Sequence, residues 1–525
     1  MAGMQQGYAY ADSLILLVPQ FEGHLIAMDI LNSEVSASHF TLVSATFVLL
    51  LTIATAKLLF PSNPGGSLPL HGAEYGISPR RVLQYMYNAQ SMYLEAYSKF
   101  RNTVYRITTA DGEKVVVPLK YVEELRSKPE EEINNAKALE KVFETKITGL
   151  TTETHFLNHL IRADLTKKLP QIIGRLAEEV ERSVRTELPQ AETWTSININ
   201  ERVSRVLAIV SGNVLVGPPL CYDEEYLHAA MNYSKDISAA IRALKIWPRF
   251  MRPTVQHFTP QVGVIRKYRG KAKKMLEPLI KELRSMRAKG NPLPDTMLAW
   301  MVEKAEQFQA DDDELANTQL ILIMAGIHTR TMTITHILYD LAAYPECVED
   351  LRDEINAVLA ENNGVMSAQA LFQMKLLDSF LLESQRHNPP AFSDMSSSPS
   401  RSRTGHRSRQ GSSIETPHIA VTKDPEFYPD PETFDPYRFY RLRKGETPDP
   451  IGHKNTEQYQ FVTVTKENMG FGYGRHACPG RFFAAAEIKL LLARILLEYD
   501  RQDARWSGGA ALCQRRRGEL LYCRY

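Results

Sequence analysis

The 525-residue sequence predicts a mainly α-helical fold with a small β subdomain near its start, preceded by an N-terminal transmembrane helix. Most of the chain after Glu74 sets apolar and charged residues at helical spacing. One stretch, 102–118, instead carries β-branched runs on either side of a tight turn. An unbroken apolar run fills 40–60. The length is ample for a buried core. A net charge of +1 speaks against a dedicated nucleic-acid binder, whose surface would be strongly basic. The five cysteines, Cys221, Cys347, Cys478, Cys513 and Cys523, are scattered with no CxxC pair. That argues against a disulfide framework or zinc site and for a reducing compartment.

The run "FTLVSATFVLLLTIATAKLLF" (40–60) matches the roughly 20 residues a helix needs to cross a bilayer. It is apolar on all faces, which favours the membrane over a buried core helix. No basic segment precedes it and no cleavage pattern follows, so it is not a typical secretory signal. Asp12, Glu22, Asp29 and Glu34 precede it without any Lys or Arg, while Lys57, Arg80 and Arg81 lie at or beyond its end. The charge asymmetry puts residues 1–39 in the lumen and the body in the cytosol. "PSNPGGSLPL" cannot continue a helix, and 61–73 reads as a hinge to a body spanning 74–500.

Within the body, Ser78-Pro79 has the chemistry of a helix start, and 178–185 and 265–289 are helical in pattern. Asp111-Gly112 is the hairpin turn of 102–118. "DDDELANTQLILIMAGIHTRTMTITHILYDLAAYP" opens on three aspartates that suit a helix N-terminus and meets no proline until Pro345. At its apolar centre, Gly326 weakens the helix and Thr329 can bond a carbonyl one turn back, which is compatible with a local bulge there. A packing glycine and a satisfied threonine would explain the same residues. "MKLLDSFLLESQRHNPP" forms a second helix, ended by Pro389-Pro390, with Glu383 and Arg386 on one face. On its own that pair is an ordinary salt bridge. "DPEFYPDPETFDPYRFYRLR" (424–443) reads as a proline-rich meander with no regular element.

"FGYGRHACPGRFFAAAEIKLLLARILLEYD" (471–500) is the most specific stretch. Gly472 and Gly474 permit a tight turn, Cys478 follows, and an amphipathic helix begins near Arg481. A cysteine just before a helix N-terminus meets free backbone N–H groups that favour its thiolate. A single thiolate on a glycine-lined loop suits axial ligation of haem iron. A nucleophilic cysteine is the rival reading, but His476, two residues away, is poorly placed to activate it.

Phe471, Gly474, His476, Cys478 and Gly480 fill F-x-x-G-x-[RH]-x-C-x-G, and this string resembles the haem-binding loop of the cytochrome P450 superfamily. Glu383, Arg386 and Arg438 match that family's salt-bridged triad, and Ala325, Gly326, His328 and Thr329 its oxygen-binding helix segment. The resemblance implies a large helical haem-thiolate fold, haem b (iron protoporphyrin IX) bound through Cys478, and hydroxylation of an unactivated C–H bond with O2. Thr329 would carry protons to the distal oxygen. His328 would either relay them from solvent or hydrogen-bond within the core. His476, with His159 and Arg162, would face the haem propionates. His328 and His476, where an acid and an arginine are commoner, look like the filamentous-fungal branch that oxidises terpenoids and related secondary metabolites. The implied setting is the endoplasmic reticulum membrane, single-pass, with the catalytic domain cytosolic. The implied partners are a hydrophobic small-molecule substrate, NADPH-cytochrome P450 reductase and cytochrome b5, because the chain has no flavin or nicotinamide fingerprint of its own.

Two stretches depart from the family. "SDMSSSPSRSRTGHRSRQGSSIE" (393–415) stands where packed strands and a substrate-lining loop are expected, and "RQDARWSGGAALCQRRRGELLYCRY" (501–525) replaces the expected final β-hairpin. Gln502 to Trp506, read one base later, permits Lys/Arg-Met-Pro-Asp-Gly, close to the family's usual ending. His406 to Gly411, shifted likewise, permits Ile/Thr-x-Pro-x-Lys/Arg-Gly. Both 393–418 and 501–525 are therefore expected to be out-of-frame, and a catalytically inactive haem-fold remnant is the alternative function. A third reading, an Arg/Ser-mediated interaction protein, is opposed by the near-neutral charge and the anchor. Arg330 is a further departure, since a small hydroxyl residue is usual after the family threonine.

Overall fold

The computed structural model describes residues 45–46, 68–150, 155–190, 195–390, 394–398, 412–503 and 510–514. The transmembrane segment expected at 40–60 thus lies almost wholly outside the described residues, as do the lumenal segment and most of the hinge. From residue 63 onward the chain forms one compact unit.

A five-stranded sheet lies beside the N-terminal helix α1 (Ser78–Phe100), in the order β1-β2-β3-β6-β5. Its strands are β1 (Leu70–His71), β2 (Tyr105–Thr109), β3 (Gly112–Val116), β5 (Asp394–Ser398) and β6 (Ser412–Thr416). The hairpin turns where the sequence predicts, with Thr109 opposite Gly112; Gly112 holds a φ of 108° there, which only glycine adopts freely. A second sheet joins β4 (Thr195–Ile197) to a terminal hairpin of β7 (Tyr499–Asp503) and β8 (Ala510–Gln514).

The helices carry the core. α2 (His155–His159) passes through a π-helical turn at Leu160–Leu165 into α3 (Thr166–Glu187). α4 (Ile199–Leu215), α5 (Glu224–Lys245), α6 (Pro260–Ala288) and α7 (Asp312–Ala343) follow, then α8 (Val348–Glu361), α9 (Lys375–His387), α10 (Arg438–Lys444) and α11 (Arg481–Glu498). α7 starts as its acidic opening predicts: Asp311 caps it by accepting from the Glu314 N–H at 2.8 Å. It has the length and hydropathy of a membrane span. Packing against α4, α5, α6, α9 and α11 makes it instead the central core helix.

The structure decides one alternative and corrects one expectation. No bulge interrupts α7 at Gly326: the helix is continuous, and the Thr329 hydroxyl satisfies itself on the Ala325 carbonyl within it, as the reading of a satisfied threonine expects. The expectation of a meander without a regular element is corrected: it carries α10, whose first residue is Arg438. Residues 412–418, at the end of the stretch expected to be out-of-frame, pack into the first sheet. β6 pairs in parallel with β3 from Lys114↔Ser413 to Val116↔Glu415. Ile414 and Glu415 are buried, with Glu415 accepting from Tyr93 and pairing with Lys114 at 3.0 Å. The backbone at 499–503 and 510–514 also forms an antiparallel hairpin, in the place where the tail reads as lacking one.

Candidate active site

The loop before α11 is built by its glycines and one backbone bond. Gly472 and Gly474 hold φ of 73° and 65°. A Cβ at Gly474 would meet Arg126 Cγ at 2.8 Å, so this position is closed to other residues on two counts. The Cys478 N–H donates to the Phe471 carbonyl at 2.7 Å, closing the turn, and Gly480 is the N-cap of α11. Burial pushes the Cys478 thiol up, whereas N–H bonds from Gly480 and Arg481 and the charges of Arg481 and Arg330 favour its thiolate. Phe471 is fixed edge-on against Phe461, with centroids 5.1 Å apart.

Positive charge gathers beside this loop. Arg162, carried by the π-helical turn, donates to the Arg475 carbonyl at 3.0 Å. Half-buried His476 is held below the usual imidazole range, first by desolvation and further by Arg475 and Arg162, against an opposing Glu130. His159 is turned elsewhere: its Nε2 lies 3.3 Å from Lys304 Nζ, and its ring packs on Phe308 at 5.0 Å. The structure therefore brings Arg162 and His476 to the loop and leaves His159 on the neighbouring helix.

On α7, Ala325 and Thr329 are exposed one turn apart, although Ile323, Ile327 and Thr331 around them are buried. An open face at the middle of a core helix marks an internal cleft. Thr329 Oγ1 donates to the Ala325 carbonyl at 2.8 Å. His328 is half-buried, and desolvation and the charge of Lys235 keep it below the usual range, so it is neutral at physiological pH.

The triad is assembled. Arg386 makes a two-pronged pair with Glu383, both bonds at 2.8 Å, and Arg438 Nε reaches the same carboxylate at 3.2 Å. The Asp435 N–H adds a bond at 2.9 Å. Burial alone would raise Glu383, but bonds from Arg386 and His387 and the charges of Arg386 and Arg438 hold it at about 2. The arginines also donate to the carbonyls of Thr422, Pro431, Pro429 and Asp430, fastening the meander to α9.

Sequence reasoning missed several residues here. Glu487 and Ser211 surround Arg330 in the core beside Cys478. Gln385 crowds Gly470 so closely that a Cβ there would fall 2.3 Å from its Oε1. Gln385 stands inside the E-S-Q-R string, so its place next to the triad was the available signal.

These donors fit a haem. One sulfur, backed by two N–H groups, suits an axial bond to a metal that brings its other ligands with it. Among the described residues no group of three His, Cys, Asp or Glu could hold a bare ion. Arg162 would supply a charged donor, and neutral His476 a ring N–H, for the carboxylates of such a group.

The family model described as Cytochrome P450 matches residues 83–505, four-fifths of the chain. The chain belongs to the cytochrome P450 family. Similar proteins are fungal monooxygenases of that family. The cytochrome P450 monooxygenase braC of Annulohypoxylon truncatum is 35% identical over 471 residues, 88% of this chain and 91% of the relative. Those called paxP, from Penicillium paxilli, and olcJ, from Penicillium canescens, are 34% and 31% identical, covering 79% and 82% of this chain and 80% and 82% of themselves. This P450 is accordingly an oxidoreductase of the monooxygenase type, mostly helical with small sheets, and its family implies a haem-thiolate cofactor.

Proposed function

We propose that this P450 is a membrane-anchored haem-thiolate monooxygenase that oxidises a hydrophobic small molecule, a terpenoid-type fungal secondary metabolite. Its electrons come from NADPH through cytochrome P450 reductase, with cytochrome b5 as a second donor. The observation that carries the reading is the Cys478 loop, with two N–H donors on the sulfur, packed beside the helix that opens at Ala325 and Thr329. Bound haem supplies the activation of O2 for insertion of one oxygen atom into a C–H bond. The N–H groups of Gly480 and Arg481 hold the Cys478 thiolate in place. Arg162 and His476 bind the carboxylate rim. The Thr329 hydroxyl, which donates to the Ala325 carbonyl, would turn to donate a proton into the cleft, and neutral His328 would take up the next from solvent. Glu383, Arg386 and Arg438 have a structural task.

The terpenoid class rests on the histidines at 328 and 476, and the fungal setting on the fungal monooxygenases that the chain is similar to. The anchor and the endoplasmic reticulum location rest on the apolar run at 40–60 and its charge asymmetry. Incubating the membrane-bound chain with reductase, NADPH and a panel of terpenoids should give a product one oxygen atom heavier. Rapid NADPH oxidation with no oxygenated product from any of them would contradict the substrate class.

The out-of-frame reading is narrowed to 393–411 and 501–525. The packing of 412–418 supports the first boundary, and the family match ending at residue 505 agrees with a second break close to 501. Cys478, Thr329 and the triad all lie outside both spans, which disfavours the inactive remnant. Sequencing the transcript across both junctions checks this; a clean read in the printed frame would contradict it.

A further inference from the structure

Arg330 stands where its family usually has a small hydroxyl residue, and its surroundings are unusual for a surface-loving side chain. It is 5% exposed, in the middle of α7. Its Nε donates to the Gly326 carbonyl at 2.8 Å, and its Nη2 donates to Ser211 Oγ of α4 at 3.1 Å. It forms an ion pair with Glu487 of α11, itself 0% exposed, and stacks over Phe483 with 5.2 Å to the ring centroid. The Ser211 hydroxyl closes the cluster by donating to Glu487 at 3.1 Å. Gly326 is shaped to this arrangement, since a Cβ there would lie 2.6 Å from Arg330 Nη2.

One guanidinium thus joins three helices, two of which carry the chemistry. α7 presents Ala325 and Thr329, one turn from the carbonyl that Arg330 occupies. α11 begins three residues after Cys478, and Phe483 and Glu487 lie on its first two turns. A planar fork with fixed donors transmits position better than a flexible ammonium, and a buried carboxylate without its partner is strongly unfavourable. Resting on the haem-thiolate reading above, we propose that Arg330 is a positioning residue. By neutralising Glu487 and holding the Gly326 carbonyl, it sets the spacing between the oxygen-side face of α7 and the thiolate loop at the start of α11.

The test uses the full chain with Arg330→Thr, Arg330→Lys, Glu487→Gln and the double variant Arg330→Thr with Glu487→Gln. The readout is the share of bound haem, reduced and saturated with carbon monoxide, that gives the red-shifted Soret band of thiolate ligation. Scoring per bound haem separates seating of the loop from simple loss of folded protein. Arg330→Thr is expected to lose most of that band. Arg330→Lys, which keeps the charge but not the fork, is expected to restore it in part. The double variant, with no stranded charge, should regain more than Arg330→Thr retains. An undiminished band in Arg330→Thr, or a double variant no better than that single one, would overturn the proposal while leaving the haem reading intact. Absence of the band from the unaltered chain would overturn both.

Discussion

Two of the arginine–carboxylate clusters among the described residues differ in how far their closest partners lie apart along the chain. In the triad, Glu383 and Arg386 are neighbours on one turn of α9, and every strong bond is short and complete. In the joint beneath the thiolate loop, Arg330 and Glu487 come from α7 and α11 and meet only when the core closes. The triad's arginines spend their remaining donors on meander carbonyls, so it fastens irregular backbone to a helix. The joint fastens helix to helix. A local pair can therefore be designed into one element, whereas a remote pair reports the relative placement of two.

The sharpest way to break the comparison is Glu383→Gln, which leaves buried Arg386 and part-buried Arg438 without their carboxylate. Removing one partner of a buried pair costs about 3–5 kcal/mol. Denaturant unfolding should show a loss of that size, and a loss under about 1 kcal/mol would mean that the carbonyl bonds carry the meander alone.

A pH series separates the triad from a second buried carboxyl beside it. Glu383 lies at about 2 in the fold against an ordinary 4.5, so the folded state binds fewer protons than the unfolded one between those values. Its contribution, about 3 kcal/mol at 1.4 kcal/mol per pKa unit, is complete above pH 4.5 and is lost as the pH falls to 2. Asp340 of α7 behaves oppositely. Burial pushes it to about 7, despite hydrogen bonds from Ser384 and Asn388. Between an ordinary 3.8 and about 7 the folded state holds a proton that the unfolded state has lost, so this group makes stability fall as pH rises. Asp340→Asn should remove that fall and leave the acid limb unchanged, as read from unfolding midpoints across pH.

How much was legible follows from the same contrast. The long helix with its Asp311 cap, the hairpin turn at Gly112, the E-x-x-R pair and the cysteine loop are each written within a few residues of one another. The sequence read them correctly. Arg330 was visible only as an oddity, because Glu487 is 157 positions away and nothing local announces it. His159 was placed with Arg162 by the family resemblance, yet it precedes the π-helical turn that carries Arg162 and lies beside Lys304 and Phe308. The pairing of 412–416 was not legible: Ile414, Glu415 and Thr416 are buried in succession, so the strand shows no alternation, and its partners Lys114 and Tyr93 lie 301 and 322 positions away.

The smallest expected effect falls on the loop itself. Gly474→Ala meets a φ of 65° and the Arg126 side chain, at a cost of about 1 kcal/mol in backbone preference alone. Thermal unfolding should register it, together with weaker haem retention.

The most direct measurement is the carbon monoxide difference spectrum of the reduced, haem-loaded chain beside its Cys478→Ala variant. The red-shifted Soret band of thiolate ligation should appear in the first and vanish in the second. A chain that lacks the band, or a variant that keeps it, would contradict the assignment of Cys478 as the axial ligand and with it the monooxygenase reading.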